Sequence, residues 1–359
     1  MVALNSLFGR GAPSLVGIDV SASSVKLVEL SQASGGRLSV DRCAMELLEP
    51  GWITDGNIEN LDGVAEAVRR VVKKSGTRTK EAALALPASV VITKKIVLPD
   101  GLSELEMEAQ VESEANQYIP FSMDEVSLDF CVTGPSANSI GDVDVVLAAA
   151  RKEKVQDRQA LAEAAGLKPV VVDIENLASR LAAERLISRL PGKGADVVIA
   201  LFELGANNMS MQAIRNGELL YERDQVFGGS QLTQLIVRQY GFSHDEAEQK
   251  KRNNELPDDY TATVLKPFMD STAQEVGRAL QFFFTSTPYN KVDYIFLAGG
   301  GACMSGIANV VTEHTGFACN VTNPFDGMTM GRTVREPKLA KEAPSYLTAC
   351  GLAMRRFLK

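Results

Sequence analysis

A repeated strand–turn–strand–turn–strand pattern constrains the fold of this chain more than any other feature. The first copy reads Val16-Gly17-Ile18-Asp19-Val20-Ser21-Ala22-Ser23-Ser24-Val25-Lys26-Leu27-Val28-Glu29-Leu30, with a turn at Gly35-Gly36 and a third strand over Leu38–Cys43. The second copy reads Ala200-Leu201-Phe202-Glu203-Leu204-Gly205-Ala206-Asn207-Asn208-Met209-Ser210-Met211-Gln212-Ala213-Ile214, then the hairpin signal Asn216-Gly217 and a strand over Glu218–Arg223. In both, an apolar strand ends in an acidic residue, small and polar residues follow, and a meander continues. Two copies half a chain apart imply two lobes of the same core topology.

The repeat carries a chemical implication. A tight turn of small residues exposes successive backbone N–H groups and forms an anion nest. Two nests facing one another would grip a polyphosphate, with Asp19 and Glu203 placed to orient a hydrated Mg²⁺. A third cluster supports a nucleotide. The apolar run Val292–Leu297 leads into Ala298-Gly299-Gly300-Gly301-Ala302-Cys303-Met304-Ser305-Gly306 and a helix reaching about Thr315. Glycines at such a junction let the backbone approach a ligand and expose a helix N-terminus. No GxxxxGK[ST] motif occurs, and no GxGxxG follows the first strand, which disfavours P-loop and dinucleotide folds.

Composition excludes several alternatives. The net charge of -8, with no basic cluster interleaved with aromatics, argues against nucleic acid as a partner. Two histidines, His244 and His314, are too few for a His-rich metal site and argue against a Ser-His-Asp hydrolase. The five cysteines show no metal-ligand or CxxC spacing and read as free thiols of a reducing cytoplasm. No apolar run approaches the ~20 residues of a membrane span. Leu4, Leu7 and Phe8 with Arg10 give a weak amphipathic signal at the N-terminus.

Duplicated phosphate hairpins with a late glycine turn resemble the superfamily of actin, DnaK-type chaperones and sugar kinases. In detail the chain resembles the PilM family, pilus relatives of the division protein FtsA. The resemblance rests on Leu15–Leu30, on Glu114-Ala115-Asn116-Gln117-Tyr118-Ile119-Pro120-Phe121 with Leu128-Asp129-Phe130, on Phe227-Gly228-Gly229-Ser230-Gln231-Leu232-Thr233 with Ala247-Glu248-Gln249-Lys250, and on Ala349-Cys350-Gly351-Leu352-Ala353-Met354-Arg355. It covers essentially the whole chain.

It implies an α/β actin-like fold, ATP and Mg²⁺ as ligands, and specific roles. Asp19, Ser21, Ser23 and Ser24 would form the first phosphate loop and Lys26 would contact phosphate. Glu203, Gly205 and Asn207 would form the second loop, and Asp19 and Glu203 would serve the metal. Glu175 would position an attacking water. Lys250 would reach the ribose or base, and Gly299, Gly300, Gly301 and Met304 would bound the adenosine. Two departures stand out: Glu203 replaces the usual Asp, and Asn207-Asn208 replace a hydroxyl-rich tip, so hydrolysis is expected to be slow or absent.

The expected organisation is a first lobe over residues 1–86 and 151–191, an inserted subdomain of 1C type over 87–150, a second lobe over 195–341, and a C-terminal helix over 342–359 returning to the first lobe. A kinked helical region over Asp259–Thr285 is interrupted by Pro267. In the insert, Ser103 and Glu106 form a capping box. Leu105, Val111, Ala115 and Tyr118 read as an apolar stripe beside Glu104, Glu108 and Glu112, an acidic row at i,i+4 spacing. That acidic row is a candidate dock for a basic peptide. The resemblance implies that this peptide is the cytoplasmic N-terminal segment of PilN, a single-pass inner-membrane protein, so the chain would sit in the cytoplasm, peripheral to the inner membrane. Contacts with other pilus inner-membrane or motor components, and self-association, are left open. The alternatives weighed are a polymerising FtsA-like cytoskeletal ATPase and a small-molecule kinase, the latter lacking a catalytic-aspartate motif.

Overall fold

A computed structural model describes residues 14–33, 35–136 and 139–358. The N-terminal amphipathic signal of Leu4, Leu7, Phe8 and Arg10 lies outside the described residues. The first lobe opens with β1 (Leu15–Val20), β2 (Ser24–Gln32), β3 (Leu38–Leu47), the small hairpin β4 (Ile53–Thr54) and β5 (Asn57–Ile58), α1 (Leu61–Ser75) and β6 (Glu81–Leu86). The insert contains β7 (Val91–Pro99), α2 (Glu104–Ala115), β8 (Val126–Pro135) and β9 (Asp142–Arg151). α3 (Lys152–Ala164), β10 (Lys168–Ile174) and α4 (Glu175–Ile187) follow. The second lobe has β11 (Ile199–Leu204), β12 (Met209–Arg215), β13 (Glu218–Gln225), α5 (Gly229–Tyr240), α6 (His244–Asn253), α7 (Lys266–Ser286), β14 (Tyr294–Ala298), α8 (Ile307–Thr315) and β15 (Ala318–Val321). The chain ends with β16 (Thr329–Met330), α9 (Glu336–Glu342) and α10 (Leu347–Met354).

The repeat is explicit in the sheet orders. One sheet runs β10-β6-β1-β2-β3-β16 and the other β13-β12-β11-β14-β15. In each, an antiparallel three-stranded meander continues into two parallel strands, with β6 and β10 corresponding to β14 and β15. The Asn216-Gly217 turn has both residues at positive φ, 52° and 79°, the geometry of a two-residue hairpin. β16 returns from the second half to pair in parallel with the start of β3, joining the lobes along one edge.

Several sequence expectations shift. β3 extends to Leu47, beyond Cys43, because it stays paired with β2 through Ser24↔Leu47 across a bulge at Glu29/Leu30. The helical region around Pro267 divides into a π-turn over Thr261–Leu265 and the helix α7. Pro267 sits in the first turn of α7, where its missing N–H costs least. The terminal helix is short: 3₁₀ turns at Ala343–Tyr346 and Arg355–Phe357 flank α10.

Two outer cores flank an inner one. One lies between the first sheet, α1 and α3, the other between the second sheet, α5, α7 and α8. The inner core joins Val28, Leu30 and Val40 of the first sheet to Ile199, Leu201 and Phe296 of the second through Ala182 of α4 and Ala349, Cys350 and Ala353 of α10. α10 is seated by two glycines. A Cβ on Gly17 would overlap the Ala349 carbonyl and the Ala353 nitrogen, and a Cβ on Gly351 would overlap the Ala178 carbonyl of α4. Arg355 then clamps the end of α10 to β10 by a bidentate pair with buried Asp173.

This packing leads to a stability prediction. Gly351→Ala should destabilise the chain by about 3 kcal/mol or more, because neither backbone can retreat. Gly300→Ala, where an added methyl meets nothing within 4 Å, should stay within about 0.5 kcal/mol of the original chain. Urea unfolding of both variants checks the difference; similar midpoints would contradict it.

Candidate functional site

The two hairpins bring their acids to the same cleft. Asp19 is the second-last residue of β1 and pairs in register with Lys26 of β2. The buried Lys26 ammonium donates to Asp19 Oδ2 at 2.8 Å and to Ser21 Oγ at 3.0 Å. The Ser21 backbone N–H and hydroxyl both donate to the Ser24 carbonyl at 3.0 Å, and Leu48 N donates to the Ser23 carbonyl, so the first tip is fixed from within. The N–H groups of Ala22 and Ser23 have no protein acceptor among the described residues. Those of Ala206 and Asn207 at the second tip have none either. Each tip therefore keeps two successive donors for solvent or a ligand, the composition of an anion nest.

The second tip is held from outside. Its Gly205 and Ala206 carbonyls accept Gly229 N at 3.0 Å and Ser230 N at 2.8 Å from the start of α5. Asn207 Oδ1 accepts the Ser230 hydroxyl at 2.7 Å. Asn207 thus fastens the tip to α5 through its side chain. The glycine turn also divides its work. Gly299, at φ 84°, and Gly301 press against Leu204 and leave no room for side chains, whereas Gly300 opens onto free space. A 3₁₀ turn over Gly300–Cys303 and a Gly306 cap fill the segment between β14 and α8, and α8 ends at Thr315 as the sequence suggests. Met304 packs against the second-lobe core. Lys250, on α6, lies 5.1 Å from the Phe242 ring centroid and 3.8 Å from Glu246 Oε1.

Glu175 and Glu203 complete an acidic cluster with Asp19. Glu175 is the first residue of α4 and so enters from the N-terminus of a helix. Burial, then the neighbouring Asp19 charge, push its carboxyl up to about 8, against the opposing pull of Arg158. Glu203 at the end of β11 accepts the Thr348 hydroxyl at 3.1 Å from α10. Burial raises its carboxyl to about 7, while hydroxyls of Ser179 and Thr348 hold it lower than burial alone would. Sequence reasoning missed Arg158, Ser179 and Thr348. Arg158 of α3 is 2% exposed and donates to the Ala85 carbonyl at 3.1 Å. None of the three sits in a motif; tertiary packing alone brings them here.

The insert corrects one expectation. Its three-stranded sheet, order β7-β9-β8, packs on Met107, Val111 and Ala115 of α2. Leu105 and Tyr118 do not join that face: they are 77% and 43% exposed, and Lys94 lies over the Tyr118 ring. The 100° step of a helix leaves Leu105 beside Glu104 and Glu108, with Glu112 two turns along. All three glutamates are exposed and form no ion pair among the described residues. The two histidines are exposed and the five cysteines free, as the sequence suggests. Among the described residues no three His, Cys, Asp or Glu side chains, the Asp19–Glu175–Glu203 cluster included, lie so that they could hold a metal ion by themselves, and no helix is long and apolar enough to cross a membrane.

Twin sheets of one topology, paired helices between them and opposed acidic hairpin tips define an actin-like two-lobed protein. The family model for the type IV pilus assembly protein PilM matches residues 17–357, and the chain belongs to that family. A solved PilM–PilN type IV pilus biogenesis complex contains a chain that is 28% identical, with a TM-score of 0.80 over 97% of this chain and 100% of that one. The ethanolamine utilization protein EutJ from Carboxydothermus hydrogenoformans shares the fold at 16% identity, with a TM-score of 0.58 over 95% of this chain and 89% of that one.

The elevated carboxyls give a pH prediction. Glu203 keeps its proton in the folded chain to about pH 7, whereas an ordinary glutamate releases it near 4.5. The folded state therefore binds more protons between these values. The stability that Glu203 contributes is fullest below about pH 4.5 and is lost as pH rises towards 7. Glu203→Gln should remove this slope, gaining up to about 3 kcal/mol on the original chain between about pH 5 and pH 8. Urea unfolding without nucleotide measures it; parallel pH profiles would contradict the assignment.

Proposed function

We propose that the chain binds Mg-ATP between its lobes and couples that state to docking of the cytoplasmic N-terminal peptide of PilN, as a scaffold at the inner membrane. The opposed hairpin tips, each with two unpartnered N–H groups beside an acidic residue, carry the nucleotide half of this reading. Residues 21–24 and 205–207 would hold the phosphates, with Lys26 as the adjacent fixed cation. Gly300 offers the open surface that a nucleoside needs. Asp19 and Glu203 suit a hydrated Mg²⁺, which takes one or two carboxylates together with phosphate oxygens and waters. The metal would offset the negative charge that the phosphates bring beside these acids. Glu175, with its proton affinity near neutral, would orient a water, and Glu203, one methylene longer than aspartate, keeps turnover slow.

Calorimetry tests the nucleotide half. Mg-ATP should bind the original chain and raise its melting temperature by mass action. Gly300→Leu, which fills open space without touching the core, should weaken binding by about tenfold or more with little loss of stability. Asp19→Ala should weaken it too, at the added cost of a buried unpaired Lys26. No detectable binding to the original chain would overturn this half.

The PilM–PilN relative and the exposed Leu105 among Glu104, Glu108 and Glu112 support the peptide half. An apolar side chain that stays 77% exposed while Met107 fills the core is a ready contact for a hydrophobic peptide residue. Burying a leucine stabilises by roughly 1.5–3 kcal/mol, against about 0.2–1 kcal/mol for an exposed charge pair. Leu105→Ala should therefore weaken binding of a PilN N-terminal peptide by about tenfold or more. Reversing Glu108 and Glu112 to Lys should mainly slow association and flatten its salt dependence. Stopped-flow binding separates the two; unchanged affinity in Leu105→Ala would remove α2 from the dock.

A further inference from the structure

A polar groove lies at the end of the first-lobe sheet opposite Asp19. Parallel pairing of Leu15 with Glu81, and antiparallel pairing of Val16 with Glu29 and of Glu29 with Arg42, place all these residues at that end. The cavity there holds about 870 Å³. It continues past Gly331 and Arg332 into a second, of about 670 Å³, that runs along residues 334–338. The groove is thus remote from both the nucleotide cleft and the insert.

Its charges are unevenly engaged. Glu29 accepts the hydroxyls of Thr77 and Thr79, and Asp41 accepts the Ser31 hydroxyl at 2.8 Å. Four cations, Arg78, Lys80, Arg332 and Arg335, are exposed and form no ion pair among the described residues. The acids Glu81 and Glu336 on the same walls form none either, but with Arg42 and Lys338 the lining holds six cations against four acids and is net positive. In a chain of net charge -8, four unengaged cations from two separate segments along one groove form a local field opposite to the whole.

We propose that this groove docks an acidic segment of a protein partner, rich in Glu or Asp. The concave, elongated shape fits an extended chain and not the plane of a bilayer. Cations spread along the length do not converge on a single point, as a lone phosphate would require. Among the described residues no aromatic side chain lines either cavity, so the described walls offer nucleic-acid bases no stacking platform. The chain's own residues 1–13, although adjacent to Ser14 on the wall, contain no acidic residue and do not match the charge.

The test uses the full chain and a labelled peptide of alternating Glu and Ser, read by fluorescence anisotropy at about 50 mM salt, where screening is modest. The peptide should bind, should be released as salt rises, and should lose at least about threefold to tenfold in affinity in an Arg78→Glu, Arg332→Glu double variant. The corresponding double Lys variant should retain most of it. Melting temperature and Mg-ATP binding should be unchanged in both, which keeps this result separate from the cleft. Three results overturn the proposal: no peptide binding to the original chain, equal binding by the Glu variant, or displacement by millimolar inorganic phosphate alone. Arg78-dependent binding to phosphatidylglycerol vesicles without peptide binding also overturns it, and assigns the groove to lipid.

Discussion

The close approach of α10 to β1 and α4 is the constraint on which the cleft depends. Two glycines make it possible: Gly17 in the strand and Gly351 in the helix leave backbones in direct contact. Because α10 and α4 also contribute to the core between the sheets, this seating fixes how the lobes face each other. The first turn of α10 then brings the Thr348 hydroxyl to Glu203, and the start of α4 brings Glu175 into the same space. A shift in α10 would therefore move a hydrogen-bond donor in the site as well as the core. Interiors packed at crystal-like density transmit such shifts instead of absorbing them.

The cleft's electrostatics follow from that enclosure. Burial together with the Asp19 charge drives Glu175 and Glu203 towards the protonated form. Lys26 pairs directly with Asp19, and the buried Arg158 adds a second positive charge that acts on Glu175 and Asp19. The arrangement is uncomfortable as protein alone, since buried acids are costly unless paired. On the proposed function, a divalent cation entering with phosphates would offset that cost. Strained charge of this kind concentrates at functional sites. The glycine turn shows the same economy: Gly299 and Gly301 serve packing, and Gly300 remains available to a ligand.

Much of the architecture was legible because the repeat is written in local terms. Alternating apolar residues, small-residue tips and the Asn216-Gly217 turn specify both meanders without long-range information. The actin-like fold follows from the duplication. Side-chain orientation on weakly amphipathic elements was not legible. The sequence reads Leu105, Val111, Ala115 and Tyr118 as one stripe, but the insert sheet packs on Met107, Val111 and Ala115, leaves Leu105 outside, and α2 ends before Tyr118. Arg158 and Thr348 reach the cleft from helices distant in sequence, so no spacing rule could mark them. The glycine run read as a ligand contact throughout, yet two of its three residues answer to Leu204, because a sequence does not distinguish a glycine needed by a neighbouring strand from one needed by a ligand.

The central claim is that the two hairpin tips form one polyphosphate site. A structure of the chain crystallised with a non-hydrolysable ATP analogue and Mg²⁺ tests it most directly. The account predicts the triphosphate between residues 21–24 and residues 205–207, with Gly300 against the nucleoside and Asp19 or Glu203 on the metal side. A nucleotide bound elsewhere, or a cleft that excludes it at saturating concentration, would contradict the account.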